Sequence, residues 1–398
     1  MGSIVTLGLG RLELDWGKNN FFRNHSGLFL PDDRRQVDYY YADDIVEAKV
    51  ALARPLRSVM RRLEMLGYTL SGCEDVYAQA VATVPDYYDP PLLAFAEYAA
   101  VMKRVDVTKV TPPDDGDYDL GEYANAVIRD PEFTKSDPRL ATLNSDDGTF
   151  LENLDPYVTL RLLAENPAHL DELVIWRIAD IIEGGYASDS EIYEGPPAAA
   201  VCLVVTEGSS DTAVLRESLQ RVAPDIADFF DFVDMRDNYP FTGTGNLFRF
   251  AQGLARIKIQ NRILFVLDND TAGHEALRRI SALGLPRDMR AVTLPDLREC
   301  REFPTLGPSG STKEDINGRA VSIELFLDLQ AADSSERVVR WTSFNEAIGR
   351  YQGELLGKDA HVRRFLEAIR RQENYDCTKL ERLWKHLVDA CTKPAATP

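Results

Sequence analysis

The chain has 398 residues, enough to bury a large core and to form two or three domains, and its 44% hydrophobic and 27% charged content is that of an ordinary globular protein. No run approaches the roughly eighteen apolar residues of a membrane-crossing helix and no basic, apolar leader is visible, so a soluble, cytoplasmic protein without membrane contact is expected. A formal net charge of −19 excludes a generally basic nucleic-acid coat, and any contact with a polyanion has to be local.

Residues 1 to about 40 read as a β-hairpin, Ile4 to Leu14, followed by a polar turn at Lys18-Asn19-Asn20 and a second apolar piece, Leu28 to Leu30. Ile45 to Leu66 reads as one long helix, kinked or split by Pro55, with Arg54, Arg57, Arg61 and Arg62 on a solvated face. Further helices are expected over Asp75 to Val84 and Pro91 to Val105. From Thr108 to about Thr149 the chain is rich in Pro, Asp, Gly and Ser, as in a long loop or irregular subdomain. A helical pair, Pro156 to Glu165 and Leu170 to Glu183, ends at Gly184-Gly185, and Ala187 to Pro197 reads as a linker. The domain over 1–190 is thus expected to be mostly helical with a β-hairpin.

The pattern then changes. Val201 to Val205 is a continuous apolar, mostly β-branched run, as expected of a strand buried on both faces. It breaks at Glu207-Gly208, and Asp211 opens a helical stretch from Thr212 to Val222. A second strand is expected over Phe229 to Val233. The Gly243 and Gly245 segment lacks a phosphate-loop fingerprint and leads into an amphipathic run, Asn246 to Ile257. Ile263 to Leu267 is a third strand, ending at Asp268 and Asp270, before a helix over Ala276 to Leu283 and a strand over Ala291 to Leu294. Strands alternating with helices predict an α/β domain with a parallel sheet flanked by helices on both faces. The carboxyl ends of such strands line one rim, so acids about sixty residues apart can converge on the same divalent cations.

The Glu-Gly strand followed by the Asp-x-Asp strand resembles the TOPRIM fold, the metal-dependent domain of topoisomerases, primases and several nucleases. Glu207-Gly208 with Asp211, then Asp268 and Asp270, then Ser322 and Glu324, then Lys358 in Leu-Leu-Gly-Lys, is similar in order to the site residues of OLD-family nucleases. The resemblance covers Ala199 to about Arg371. The first half is similar to the N-terminal domain of bacterial HEPN/TOPRIM proteins. It implies three parts: an N-terminal domain over 1–190, a TOPRIM-like catalytic domain over 198–332, and a helical C-terminal extension over 333–398 that contributes Lys358.

The resemblance implies a nuclease that hydrolyses phosphodiester bonds of DNA or RNA with Mg²⁺, or Mn²⁺. Two cations about 3.5 to 4 Å apart can stabilise charge on both the attacking and the leaving oxygen. Glu207, Asp211, Asp268, Asp270 and Glu324 are the implied metal ligands, and Lys358 would add a point charge at the leaving oxygen. A role in defence against phage is a further implication of the family. Active HEPN ribonucleases carry an Arg followed closely by His, and the N-terminal half holds no convincing copy.

Two other readings stay open. Phe-Val-Leu-Asp-Asn-Asp-Thr approaches the Asp-x-Asp-x-Thr motif of haloacid-dehalogenase-type phosphatases, with Asp268 as nucleophile, Asp270 as general acid, and Thr293, Lys313 and Asp315 as later members. Thr271 falls one position early for that motif, and two strand-helix units precede it. The acids could also be helix caps and solvated loop residues, leaving a non-catalytic nucleic-acid-binding or partner-docking protein.

Cysteines at 73, 202, 300, 377 and 391 show no Cys-x-x-Cys pairing and are expected to be reduced thiols, and the scattered histidines form no zinc-like cluster, with His274 and His361 on helix surfaces. Acidic pairs such as Asp43-Asp44, Asp114-Asp115 and Asp146-Asp147 weight the first half. Arginines gather after the Asp-x-Asp strand and in the C-terminal helices, as a phosphate-tracking groove or as solvated faces. The expected partners are a nucleic-acid substrate and a protein partner or second copy bound through the N-terminal domain.

Overall fold

A computed structural model describes residues 7–10, 12–15, 23–40, 46–83, 92–109, 154–233, 244–257, 261–308, 310–329 and 337–392. The expected loop over 110–149, the Lys18-Asn19-Asn20 turn and the tail beyond Thr392 lie outside the described residues. The chain divides into two compact units, Met1–Pro197 and Ala198–Pro398.

The first unit is a mixed α/β body built on a five-stranded antiparallel sheet in the order β2-β1-β5-β4-β3. Its strands are β1 (Leu7–Leu9), β2 (Leu12–Asp15), β3 (Arg34–Tyr40), β4 (Val46–Pro55) and β5 (Leu173–Trp176). The described helices of eight or more residues are α1 (Leu56–Met65), α2 (Leu70–Ala82), α3 (Phe95–Met102) and α4 (Pro156–Leu163), and a short α5 (Ala179–Glu183) follows β5. One apolar core joins sheet and helices through Leu7, Leu9, Leu52, Leu63, Tyr98, Leu160 and Trp176, all fully buried.

Two expectations fail here for the same reason. The long helix over Ile45 to Leu66 is a strand and a helix, with Pro55 as the N-cap of α1 rather than a kink. Val46 to Pro55 pairs with β3 on one side and β5 on the other, and a fixed proline φ suits a helix entrance. Leu170 to Glu183 likewise contains β5, whose partners lie more than a hundred residues upstream. Tertiary pairing overrides local helical spacing at both places. Among its described residues the unit therefore holds a full sheet beside its helices. Its arginines do not share a solvated face: Arg62 is fully buried with its Nε donating to the Gly27 carbonyl at 2.9 Å, and Arg54 faces Asp33 at 3.4 Å.

The second unit is built on a parallel sheet in the order β10-β8-β6-β7: β6 (Cys202–Val205), β7 (Phe230–Phe232), β8 (Arg262–Leu267) and β10 (Met289–Thr293). Val205, Phe265 and Leu267 are fully or almost fully buried because helices cover both faces. On one face lie α7 (Thr244–Ile257) and α8 (Thr271–Ser281), sharing a core with Val205, Ile263 and Phe265. On the other lie α6 (Ser209–Val222) and α10 (Thr378–Thr392), where Trp384 packs edge-on against Phe230 at 5.2 Å and donates to Ser218 Oγ at 2.9 Å. The parallel sheet and its four strands agree with the sequence reading.

The remaining described strands carry little apolar periodicity and no sequence signal marks them. A two-residue β9 (Asn269–Asp270) pairs antiparallel with β13 (Ala320–Val321). A second sheet, β12-β11-β14-β15, contains β11 (Phe303–Gly307), β12 (Gly310–Glu314), β14 (Val339–Asn345) and β15 (Arg350–Leu355). The C-terminal part is thus not wholly helical: a hairpin, β14 and β15, precedes α9 (Lys358–Arg370). All five cysteines are free. His274 is half-buried and bonded to Asn269, and His361 is buried, so neither is a plain surface residue.

Candidate functional site

In the order β10-β8-β6-β7 the chain leaves β6 for β7 on one side and returns to β8 on the other, which makes β6 and β8 the topological switch point of the sheet. Glu207 follows β6 and Asp268 follows β8, so the two acids flank the crevice where open α/β sheets bind ligands. The backbone N–H of Asp268 donates to Glu207 Oε1 at 3.3 Å, which ties the two strand ends together.

Asp211 is the third residue of α6 and reaches back, its Oδ2 accepting the N–H of Gly208 at 3.1 Å. It is not the N-cap itself. Asp270 is a true N-cap: its Oδ1 accepts the N–H of Gly273 at 2.7 Å and opens α8 directly, earlier than the spacing of apolar residues indicates. Gly273 is required there, since a Cβ would lie 2.0 Å from the Asp268 carbonyl oxygen. The other Asp270 oxygen accepts Nε2 of Gln352 at 2.5 Å.

Glu324 reaches the same crevice from far along the chain. Ala320 pairs with Asp270 and Val321 with Asn269, so the segment leaving β13 emerges beside the Asp-x-Asp strand end. A 3-10 turn over Ile323–Phe326 then buries Glu324 to 4% exposure, with Ser322 Oγ donating to its Oε2 at 2.6 Å. Lys358 opens α9 behind Gly357, which holds a left-handed φ of 71°, and its ammonium lies 3.8 Å from Glu354.

The electrostatics bind these groups into one cluster. Burial, then Asp270, pushes the carboxyl of Glu207 up to about 7. Burial, then Glu324, pushes Asp211 up to about 7. Asp268 is raised well above the ordinary range by burial and by the charges of Asp211, Glu207, Asp270 and Glu324. Burial acts to lower Lys358, but the surrounding Glu324, Asp268, Glu354 and Asp270 outweigh it and hold the ammonium charged. Five carboxyl groups share a desolvated crevice with one lysine, and burial and the repulsion of like charges make Glu207, Asp211 and Asp268 hold protons more tightly than ordinary carboxyls; the hard oxygens of the set are of the donor type that suits a divalent cation. The carboxylates sense one another without standing as a preformed shell. Among the described residues no group of three or more His, Cys, Asp or Glu has ligand geometry for a metal ion.

The structure therefore brings together all six residues singled out in the sequence: Glu207, Asp211, Asp268, Asp270, Glu324 and Lys358. Of the members of a phosphatase-type site, Asp315 accepts the N–H of Asn317 at 3.0 Å, the Thr293 carbonyl bonds Nε2 of His386 at 3.1 Å, and Thr271 is fully buried with its hydroxyl donating to the Tyr351 carbonyl at 2.8 Å. Gln352 is the site residue that the sequence did not reveal. It lies on a strand without a recognisable pattern, and no motif marks it.

These features define an α/β protein with an acidic crevice at a sheet switch point. Residues 1–200 match the family model HEPN/Toprim N-terminal domain 1, and the chain belongs to that family. Membership suggests a nuclease-like, nucleic-acid-acting function. The match ends close to the boundary between the two compact units at Pro197. No curated protein and no solved structure matches the chain. Among the described residues no helix is long and apolar enough to cross a membrane.

Proposed function

We propose that the second unit is a TOPRIM-type nuclease site that hydrolyses phosphodiester bonds of DNA or RNA with Mg²⁺ or Mn²⁺, in the manner of the OLD-family nucleases. The observation that carries this reading is the convergence of acids at the β6/β8 switch point: the Asp268 N–H bonds Glu207 across the two strand ends at 3.3 Å, and β13, paired with Asn269 and Asp270, leads into the buried Glu324. Glu207, Asp211, Asp268 and Glu324 would hold the cations, and Asp270 would add the lone pairs left by its cap and by Gln352. Bound cations supply charge for the attacking water and the leaving oxygen. The crevice itself excludes bulk water, aligns the carboxylates from three separate chain segments, and offers the ammonium of Lys358 to the developing charge at the leaving oxygen.

The first unit, in this reading, docks a protein partner or a second copy and gates the site. The net charge of −19 supports a gate, because a polyanion is not drawn to the chain as a whole. A defence role against phage fits this arrangement. The test is incubation of the purified protein with Mg²⁺ or Mn²⁺ and duplex DNA, single-stranded DNA and tRNA. New cation-dependent ends on any of them support the reading, and intact substrates in every mixture, with and without self-assembly, contradict it.

A further inference from the structure

Two of the five free thiols lie in contact. Cys391, in the last turn of α10, donates to Cys202, the first residue of β6, with the two sulfurs 3.3 Å apart although 189 positions separate them in the chain. Strand alternation agrees with this pairing: Leu203 and Val205 turn into the core shared with α7 and α8, so Cys202 faces the side that α6 and α10 cover. The helix is fixed on that side at several points. Trp384 donates to Ser218 at 2.9 Å, His386 bonds the Thr293 carbonyl at 3.1 Å, and Arg290 donates to the Ala390 carbonyl, one residue before Cys391, at 2.7 Å.

A disulfide sets its sulfurs about 2.05 Å apart, so closure of this pair asks for a movement of little more than about 1 Å between two elements already packed together. Among the described residues no other two cysteines share a sulfur contact. Cys391 is partly exposed while Cys202 is 2% exposed, so a dissolved oxidant meets Cys391 first. The bond to Cys202, then burial, holds the Cys391 thiol well above its ordinary range, against the charges of Arg262 and Arg290. The pair therefore rests as thiols and reacts only under sustained oxidation, because the thiolate is the attacking form.

We propose that Cys202 and Cys391 are a redox modification site, which a low-molecular-weight disulfide converts reversibly into an intrachain disulfide that staples α10 to β6. The Cys391 thiolate attacks one sulfur of the oxidant and expels a first small thiol, leaving a mixed disulfide. Cys202 then gives up its proton, attacks the Cys391 sulfur and expels the second small thiol. The protein loses two hydrogens with their electrons, and the oxidant gains them as two thiols. Held in contact, Cys202 outcompetes any dissolved thiol for the second step. The bridge spans nearly the whole second unit, and a cross-link over so long a loop restricts the unfolded chain strongly. Cys202 opens β6 at the end opposite Glu207, so the staple is independent of the nuclease reading.

The test treats the full chain with oxidised glutathione at pH of about 8, quenches it in acid and denaturant, and counts free thiols by alkylation and mass spectrometry. The staple predicts a fall from five free thiols to three, a bridged peptide joining Cys202 to Cys391, a single chain on a non-reducing gel, and recovery of all five thiols with dithiothreitol. The oxidised form should melt about 5 to 15 °C above the reduced one, as expected of a long-loop cross-link in a domain of this size. Cys391→Ser, at a partly exposed position, should lose both the bridge and the gain in melting temperature, whereas Cys377→Ser should keep both. The peptide map of the wild type decides the matter even where a variant fails to fold. Five thiols after prolonged oxidation, a bridge through Cys377, a linked dimer, a mixed disulfide that never proceeds to a bridge, or an oxidised form that melts no higher than the reduced one overturns the staple.

Discussion

Gln352 donates from Nε2 to Oδ2 of Asp270 at 2.5 Å while its Oε1 accepts the N–H of Ala272 at 3.0 Å, so one side chain 82 residues downstream fixes both the carboxylate and the first turn of α8. Groups that orient a metal-binding carboxylate affect cation affinity by about 10- to 100-fold. Gln352→Ala is expected to raise the Mg²⁺ concentration for half-maximal cleavage by about that factor, with the melting temperature nearly unchanged. An unaltered Mg²⁺ requirement would reduce Gln352 to a helix-stabilising contact.

Protonation of the crevice makes stability depend on pH. Glu207 and Asp211 are held up to about 7 against ordinary values of 4.5 and 3.8, so the folded chain binds more protons than the unfolded one across that window. Their contribution is fully present below the ordinary values and is lost as pH rises through about 7. The metal-free protein should therefore melt lower at pH of about 8 than at about 5.5, and Mg²⁺ should restore more at the higher pH. His25 in the first unit acts oppositely, because burial lowers its pKa and protonation below its ordinary 6.5 then favours unfolding. Melting curves of wild type and a Glu207→Gln/Asp211→Asn variant separate the two. A pH dependence that survives unchanged in the variant would show that Glu207 and Asp211 are not its source.

How far the sequence discloses this site follows from which acids sit on recognisable strands. Val201 to Val205 and Ile263 to Leu267 read as buried strands because helices cover both faces, and the acids after them follow at once. Glu324 entered through resemblance alone. The residues before it carry no strand pattern, since β13 has only two residues and exists because Ala320 pairs with Asp270. Gln352 was illegible for the same reason. Its strand is exposed at Arg350 and Tyr351 and lacks the alternation that marks a half-buried strand. In the first unit β4 reads as helix from its sequence because its partners, β3 and β5, are set by pairing that local spacing does not encode.

Glu324 offers a sharper test of convergence. Its charge raises Asp211, so Glu324→Gln should bring Asp211 back toward its ordinary range while depriving the site of an oxygen ligand. Cleavage should fall, whereas the metal-free protein at pH of about 8 should melt no lower than wild type, since a buried like charge has been removed. Lower stability together with wild-type cleavage would place Glu324 outside the site.

Asp155 organises the first unit without touching the chemistry. It caps α4 through the N–H of Tyr157 at 3.0 Å, pairs with Arg23 at 2.9 Å, and accepts the Tyr68 hydroxyl at 2.5 Å. Asp155→Ala removes the cap and leaves Tyr68 and Arg23 short of a partner, a loss of about 2 to 4 kcal/mol. Urea unfolding measures it. A change below about 0.5 kcal/mol, the scale of an ordinary surface substitution, would contradict this role.

The most direct test of the central claim compares wild type, Glu207→Gln and Asp268→Asn on one labelled oligonucleotide and one small phosphomonoester, each with Mg²⁺ and with EDTA. A two-strand metal site predicts internal cleavage of the oligonucleotide by wild type only with Mg²⁺, loss of that cleavage in both variants, and no dependence of phosphomonoester hydrolysis on either residue. Full oligonucleotide cleavage by Glu207→Gln, or hydrolysis of the phosphomonoester that disappears in Asp268→Asn and persists in Glu207→Gln, would contradict it.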